Sequence, residues 1–300
     1  MELSKLRHFL AVLETGSLGD AARQLNISQP ALSKSIQSLE QAFGSPLFVR
    51  SARGMTPTAA ASAIKERVRV IATEVDRAEV EIREISGAAR GRIVIGSGPS
   101  FAQSILPRAI AKLLQASPNV EVVVRDGFID TLLPALKSGE IEYALLTLSA
   151  QLQQPDFDTE ILLPRNRALV VVGSHNPLLS QHSVSLEDTW PGPWVLARQS
   201  DQLRQKLTEF FSRAGLPAPR PALELSSIPL ALTALREGNL ISFLPEVLVR
   251  QDLSDGTLHQ ILPELTWERS LGAVFRRGSV FTAAARKLLD EIRAASRQQM

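Results

Sequence analysis

The stretch from residue 17 to residue 58 constrains the fold most, because it contains two short helical patterns that meet at a tight corner. Ser17 is placed to cap the first helix, and Asn26 is suited to end it, since asparagine tolerates the left-handed backbone conformation. Ser28 then offers a second N-cap, and Pro30 falls in the first turn of the next helix, where its missing N–H costs nothing. These signals predict a helix-turn-helix.

The second helix of this motif is amphipathic. Its apolar positions at helical spacing are Leu32, Ile36, Leu39 and Phe43, and Gly44 ends it. The opposite face carries polar side chains of the types that reach base edges and phosphates in a major groove, namely Gln29, Ser33, Lys34 and Gln37. Residues 46–54 predict a small wing with two arginines, Arg50 and Arg53. A lone polar helix face is more often only solvated, but the ordered set of caps, corner, polar face and wing favours DNA binding.

The motif resembles that of a known family, the LysR-type transcriptional regulators. The residues that carry the resemblance are Leu6, Phe9, Leu10, Gly16, Ser17, Leu18, Ala21, Ala22, Leu25, Ser28, Gln29, Pro30, Ala31, Leu32, Ser33, Ile36, Leu39, Glu40, Gly44, Pro46, Leu47, Phe48, Arg50, Thr56, Pro57 and Thr58. The resemblance implies an α/β chain with an N-terminal all-α winged helix-turn-helix over residues 1–58. We expect base contacts from Gln29, Pro30, Ser33 and Lys34, and phosphate contacts from Ser17, Ser28, Arg50 and Arg53.

The composition is that of an ordinary globular protein with two or three domains: 300 residues, 44% hydrophobic and 21% charged. No apolar run is long enough for a membrane span and no secretory signal precedes the motif, so we expect a cytoplasmic protein. The absence of cysteine excludes disulfides, and the four histidines show no ligand spacing, so neither a metal nor a cofactor is predicted. Residues 1–58 hold six basic against four acidic side chains, which accounts for the whole net charge of +2.

Residues 59–86 form one uninterrupted helical pattern whose apolar residues follow a heptad spacing. They are Ile64, Val68, Ile71, Val75, Ala78, Ile82 and Ile85. The alternative is a helix that lies on its own domain, but so regular and narrow a seam favours a partner helix. We therefore predict a homodimer through this helix and a hinge at residues 87–91. Two recognition helices at a fixed separation predict an operator with approximate two-fold symmetry, and the resemblance also implies tetramers.

From residue 92 onward strands alternate with helices, which predicts a parallel-type sheet covered on both faces. The predicted strands lie at residues 93–95, 120–125, 143–148, 169–173, 194–197, 222–225, 240–244 and 271–276. The resemblance implies an effector-binding domain of two α/β subdomains joined by two crossover strands, like a periplasmic binding protein. We place the linker helix and hinge at 59–91, the first subdomain at 92–161 and 267–300, and the second at 162–266.

Open α/β sheets bind ligands beyond the carboxyl ends of their strands, where helix N-termini point free N–H groups into the crevice. Serine-containing turns at residues 96–101, 197–200 and 226–227 have this form. Each serine alone is more often a helix cap, but several around one cleft favour a ligand site. The predicted effector-binding residues are Ser97, Gly98, Ser100, Phe101, Phe128, Ile129, Thr147, Arg198 and Ser226. We expect a small organic acid whose carboxylate pairs with Arg198 and whose apolar part lies against Phe128 and Ile129.

The sequence thus predicts a sequence-specific transcriptional regulator that is controlled by a small-molecule effector and is not an enzyme. Its expected partners are double-stranded DNA, the effector, further copies of itself, and RNA polymerase if it activates transcription. The rival hypothesis is an enzyme or transport-type binding protein with an incidental helical domain. The missing signal peptide disfavours transport, and no phosphate loop, metal cluster or nucleophile elbow supports catalysis. A catalytic triad of residues far apart in the chain stays open at this point.

Overall fold

The computed structural model describes residues 2–51, 54–85, 91–199 and 201–298, without the side chains of residues 80, 81 and 83–85. Its helices are α1 (Leu3–Thr15), α2 (Leu18–Gln24), α3 (Gln29–Phe43), α4 (Ala59–Ile85), α5 (Pro99–Ala102), α6 (Leu106–Ala116), α7 (Ile129–Lys137), α8 (Gln202–Arg213), α9 (Ile228–Glu237), α10 (Glu246–Asp255) and α11 (Ala283–Arg297). Its strands are β1 (Phe48–Ser51), β2 (Gly54–Pro57), β3 (Arg92–Ser97), β4 (Glu121–Asp126), β5 (Tyr143–Thr147), β6 (Phe157–Gly173), β7 (Trp194–Leu196), β8 (Pro221–Glu224), β9 (Ile241–Pro245), β10 (Leu258–Ile261) and β11 (Trp267–Arg276). Arg53, the Ile85 side chain and residues 87–90 of the predicted hinge lie outside this description.

Helices α2 and α3 begin where the serine capping signals predict. The Ser17 hydroxyl accepts a hydrogen bond from the Asp20 amide (3.3 Å), and the Ser28 hydroxyl accepts one from the Ala31 amide (3.4 Å). Asn26 adopts the left-handed conformation, with φ of 55°, in the corner between α2 and α3. The helix-turn-helix is confirmed, because short-range capping bonds determine each of its ends.

The wing is tied to the three-helix core by two sets of backbone contacts. Glu40, near the end of α3, accepts hydrogen bonds from the amides of Leu47 (2.7 Å) and Phe48 (3.2 Å). The Met55 amide donates to the Gly16 carbonyl (2.7 Å), at the corner between α1 and α2. Because these hydrogen bonds anchor it at both places, the hairpin of β1 and β2 is held beside α3.

Helix α4 contacts the N-terminal module at one end and the C-terminal domain further along. Val68 is only 3% exposed and packs into the core of the N-terminal module, so the expectation that it faces a partner helix is wrong for this side chain. Ile71 and Ile82 are exposed, at 43% and 68%. Further along, Arg77 donates to the Gly139 carbonyl (2.8 Å) of the C-terminal domain.

The C-terminal domain contains one sheet whose strands run in the order β4-β3-β5-β11-β6-β9-β7-β8, with β10 paired to β6. The outer strands pair in parallel, β3 with β4 and β5, and β7 with β8 and β9. The two central strands, β6 and β11, are antiparallel to each other and to their neighbours. The sheet is therefore mixed, and the expectation of a parallel type holds only for its two outer parts, β4-β3-β5 and β9-β7-β8. These two parts are the wings of the large sheet and are distinct from the β1–β2 hairpin.

Strands β6 and β11 are the two crossovers that the resemblance implies. The first part of β6 pairs with β11 over residues 157–168, and its last part pairs with β9 and β10. The sequence pattern predicted only the final residues of β6, because the polar residues 158–160 and 164–167 interrupt the apolar pattern of this 17-residue strand. It also missed α10 and β10. The predicted subdomain boundary at 161/162 falls inside β6 and stays a prediction. Among the described residues no helix is long and apolar enough to cross a membrane.

Candidate functional site

The N-terminal end of α3 presents an exposed polar surface. Gln29, Pro30 and Lys34 are exposed, Ser33 is half-buried, and Arg50 is exposed on the neighbouring strand β1. The back of the same helix is fixed by hydrogen bonds from α1, with His8 Nδ1 2.7 Å from the Ser35 hydroxyl and Lys5 donating to Ser38 (3.0 Å). A rigidly backed helix with free polar side chains at its N-terminal end has the form of a recognition helix.

Ser17 and Ser28 lie at the same surface, but both hydroxyls already accept the amide hydrogen bonds that cap α2 and α3. Each hydroxyl keeps its own proton to donate, and the free N–H groups of a helix N-terminus attract phosphate oxygens. The surface therefore combines exposed polar side chains with helix N-termini, the two kinds of group that contact bases and phosphates in protein–DNA complexes.

A cavity of about 260 Å³ lies between the two wings of the large sheet. It is bounded by the residues that follow the carboxyl ends of the parallel strands, such as Gly98 after β3, Gly127 after β4 and Ala197 after β7. This is the place where open α/β sheets bind ligands, because the strand order changes direction there and leaves a crevice.

The structure brings eight of the nine predicted effector-binding residues to this cavity. They are Gly98, Ser100, Phe101, Phe128, Ile129, Thr147, Arg198 and Ser226. Ser97 is outside the lining: its side chain is fully buried, and its hydroxyl donates to the Gly98 carbonyl (3.1 Å). Residue 97 is the last residue of β3, where the pleat turns the side chain away from the crevice.

Arg198 lies at the edge of the cavity and already has a partner. Its guanidinium is 3.4 Å from Asp130 at the start of α7 and 5.4 Å from the centre of the Phe128 ring. Both side chains of the ion pair are about half exposed. Arg198 and Asp130 belong to opposite wings of the sheet, so this pair spans the cleft at its mouth.

The sequence reasoning missed Arg269, which lies inside the cavity on β11 and is 9% exposed. Its guanidinium donates to the Ser100 hydroxyl (3.1 Å), the Thr147 hydroxyl (3.2 Å) and the Asn166 side-chain carbonyl (3.2 Å). Burial lowers the pKa of Arg269 to about 10, so the side chain keeps its positive charge at neutral pH. One sequence signal marks it: a charged residue on the strand face shared with the buried Leu271 and Ala273.

Asp201, which also lines the cavity, is the carboxyl group that acts electrostatically on Arg269. Burial raises the pKa of Asp201. The hydrogen bond that its carboxylate accepts from the Leu203 amide at the start of α8 opposes this rise, and so do the positive charges of Arg269 and Arg198. The described part of the chain contains no group of histidine, aspartate and glutamate side chains arranged to hold a metal ion. The site offers cationic hydrogen-bond donors in an apolar cavity, which suits binding of an anion.

Comparison with known proteins agrees with this architecture. Residues 3–62 match the model of the "Bacterial regulatory helix-turn-helix protein, lysR family", and residues 86–297 match the "LysR substrate binding domain". The HTH-type transcriptional regulator GalR of Pseudomonas putida is 29% identical over 299 residues, which cover 98% of this chain and 74% of GalR. The relatives of this chain are transcriptional regulators of the LysR family and not enzymes, so the rival hypothesis of catalysis lacks support.

Solved structures share the fold over nearly the whole chain. ArgP from Mycobacterium tuberculosis superposes with a TM-score of 0.74 at 22% identity, covering 97% of this chain and 96% of ArgP. The full-length regulator CbnR, crystallised with its target DNA, gives a TM-score of 0.66 at 20% identity, covering 98% of this chain and all of CbnR. With a helix-turn-helix at one end and a two-winged ligand-binding sheet at the other, the chain belongs to the LysR family of transcriptional regulators.

Proposed function

We propose that this regulator binds an imperfect palindrome as a homodimer or tetramer and that a small organic acid in the cavity changes how its DNA-binding heads are spaced. The acid is inferred from one observation above all: the arginine Arg269 reaches a mostly apolar cavity without a carboxylate of the described residues bonded to it, whereas the second arginine, Arg198, is paired with Asp130. A ligand that favours one arrangement of the two wings shifts the population of that arrangement. Such a regulator acts in the cytoplasm, and as an activator it would also contact RNA polymerase.

The DNA part of the proposal rests on the exposed end of α3. Gln29, Lys34 and Arg50 are exposed there, and we infer base contacts from the first two and a phosphate contact from Arg50, following the general scheme of helix-turn-helix recognition. CbnR, which has the same fold, is known in complex with its target DNA. Arg53 belongs to the same proposed phosphate-binding wing, although it lies outside the described residues.

The first experiment is selection of bound duplexes from a random DNA pool by the full-length protein. We expect an imperfect palindrome to be enriched, and the Gln29→Ala and Lys34→Ala variants to lose or relax that preference. Gln41→Ala is the matched control, since this exposed residue lies at the other end of α3. If the protein binds all duplexes equally and only in low salt, the helix positions the protein without reading sequence, and the proposal fails.

The dimer part rests on the exposed isoleucines of α4. Ile71 and Ile82 leave large apolar areas open to solvent at heptad spacing, whereas Val68 is covered by its own domain. We expect Ile71→Asp and Ile82→Asp to shift the sedimentation coefficient at micromolar concentration toward the monomer. Val49→Asp, on the exposed wing, serves as the control that should leave it unchanged. A wild-type protein that sediments as a monomer would refute this part.

A further inference from the structure

The guanidinium of Arg269 is the most deeply buried positive charge at the cavity, and its hydrogen-bond partners are all neutral. They are the hydroxyls of Ser100 and Thr147 and the side-chain carbonyl of Asn166. No carboxylate among the described residues lies within 4.0 Å of it. Other arginines of the same domain have one: Arg293 is bonded to Glu160, and Arg236 to Asp252.

A buried cation without a counter-ion is costly, because neutral acceptors satisfy its N–H groups but do not replace the lost solvation of its charge. Asp201 acts on Arg269 electrostatically without bonding to it. The Asp201 carboxylate instead accepts a hydrogen bond from the Leu203 amide (2.8 Å) and caps α8. The charge of Arg269 is therefore only partly compensated within the chain. A ligand anion at the cavity floor would complete the compensation.

Arg198 is the less suitable anchor, even though sequence reasoning favours it. It is 45% exposed, pairs with Asp130 and lies over the Phe128 ring. An anion bound to Arg198 would have to displace Asp130 and would gain less, because screening by water weakens an exposed ion pair. Arg269 needs no such exchange, and its planar fork matches a carboxylate.

The rest of the cavity determines what the anionic group is attached to. The walls between Arg269 and the mouth include Leu146, Leu196, Leu203, Ile228 and Leu248. The other charged groups of the lining are Arg198, which is paired with Asp130, and the carboxylate of Asp201. A second negative charge on the ligand would therefore meet apolar side chains, an arginine already paired or a like charge. The cavity volume of about 260 Å³ fits a body of a few carbon atoms or one ring rather than a large cofactor.

On the basis of the proposed function, we infer that Arg269 binds the anionic group of the effector and that the effector is an amphipathic monocarboxylate. Its carboxylate lies at the floor beside Ser100 and Thr147, and its apolar body extends along the leucine walls toward Phe128. Ser100 and Thr147 orient the guanidinium and remain close enough to donate their own protons to the ligand. Arg198 and Asp130 stay paired at the mouth.

The test is calorimetric titration of the full-length protein with hexanoate and 3-phenylpropanoate, each compared with its neutral amide, and with succinate. We expect the two monocarboxylates to bind, and their amides and the dicarboxylate to bind much more weakly. In Arg269→Gln the carboxylate affinity should fall by about 30-fold or more, as for loss of one partner of a buried charge pair. Arg269→Lys keeps the positive charge but not the planar guanidinium, so its affinity for the carboxylates should lie between those of the wild type and Arg269→Gln.

Two controls keep the outcomes separate. Arg198→Gln should change the affinity by less than about threefold, and Arg167→Gln, on a surface arginine paired with Glu246, should not change it. Circular dichroism and selection of the same operator show that Arg269→Gln is folded. If the acids bind but depend on Arg198 instead, the assignment to Arg269 is wrong while the proposed function stands. If no acid binds, or the amides bind equally well, both are wrong; if the acids bind through Arg269 without changing operator binding, only the proposed function fails.

Discussion

The DNA-binding module and the effector domain are held together over very different distances along the chain. In the module, capping bonds join residues three apart, as from Ser17 to Asp20, and Glu40 anchors a wing seven residues away. In the effector domain, Arg269 reaches Ser100 across 169 positions, and Glu142 reaches Thr282 across 140. The module can therefore be interpreted from local signals, whereas the effector site exists only after the whole sheet has formed.

The largest expected effect compares two matched phenylalanines. Phe9 in the module and Phe211 in the effector domain are both fully buried, and each contacts one other aromatic ring, Phe48 at 5.5 Å and Trp194 at 5.8 Å. Replacing either by alanine should cost about 3–5 kcal/mol. Phe9→Ala should abolish operator binding and leave ligand binding intact, and Phe211→Ala should do the reverse. Denaturant unfolding with both binding assays checks this, and loss of both activities in either variant would show that the two regions do not fold independently.

A smaller effect compares two aspartates paired with arginine. Asp252 is buried and receives two bonds from Arg236, 16 residues away, which lower its pKa, whereas the exposed Asp20 pairs with Arg23 on its own helix. Asp252→Asn should cost about 1.5–3 kcal/mol, and Asp20→Asn clearly less. Because the pKa of Asp252 is lowered in the folded state, its contribution is complete above its unfolded pKa and is lost as pH falls through the folded value. Equal losses in the two variants by denaturant unfolding would contradict the contrast.

Glu142 should show the opposite pH dependence. Its buried carboxylate accepts bonds from the Thr282 amide (3.0 Å) and hydroxyl, yet burial outweighs them and raises its pKa. The folded state therefore binds the proton more tightly, so stability from this group is present at acidic pH and is lost as pH rises through the folded pKa. Unfolding of wild type and Glu142→Gln from about pH 4.5 to 7.5 should show the wild type losing stability relative to the variant as pH rises. A constant difference would mean that Glu142 does not titrate there.

The smallest expected effect concerns the pair at the mouth of the cavity. A double-mutant cycle of Arg198→Gln and Asp130→Asn should give a coupling energy of at most about 1 kcal/mol, since both side chains are half exposed. The coupling should weaken further in high salt because the pair is accessible to ions. A coupling of several kcal/mol would indicate a closed, water-excluding cleft, and Arg198 would then regain its place as a candidate anchor.

The local elements follow from signals that lie close together in the amino-acid sequence. Ser17 and Ser28 specify helix N-termini through hydrogen bonds to near neighbours, whereas Asn26 and Pro30 suit the corner and the first turn by their backbone conformations. The helix-turn-helix and its polar face therefore follow from the order of the residues alone. Ser4 is the exception: a serine just ahead of the apolar positions of α1 predicts an N-cap, but it lies inside that helix, which begins at Leu3, so this prediction is wrong. The turns around Ser100 and Arg198 could also be placed at strand ends, because turn residues are local signals.

Which of these turns meet, and which charged side chains lack a counter-ion, depends instead on how distant segments pack together. The length of β6, the mixed sheet and the burial of Val68 against its own domain depend on contacts between distant segments. The assignment of Arg198 to a pair with Asp130, and of Arg269 to the cavity floor, depends on β11 crossing between the two wings. A local sequence pattern depends on neighbouring residues, whereas the environment of the Arg269 guanidinium is set by residues such as Asn166, more than a hundred positions away.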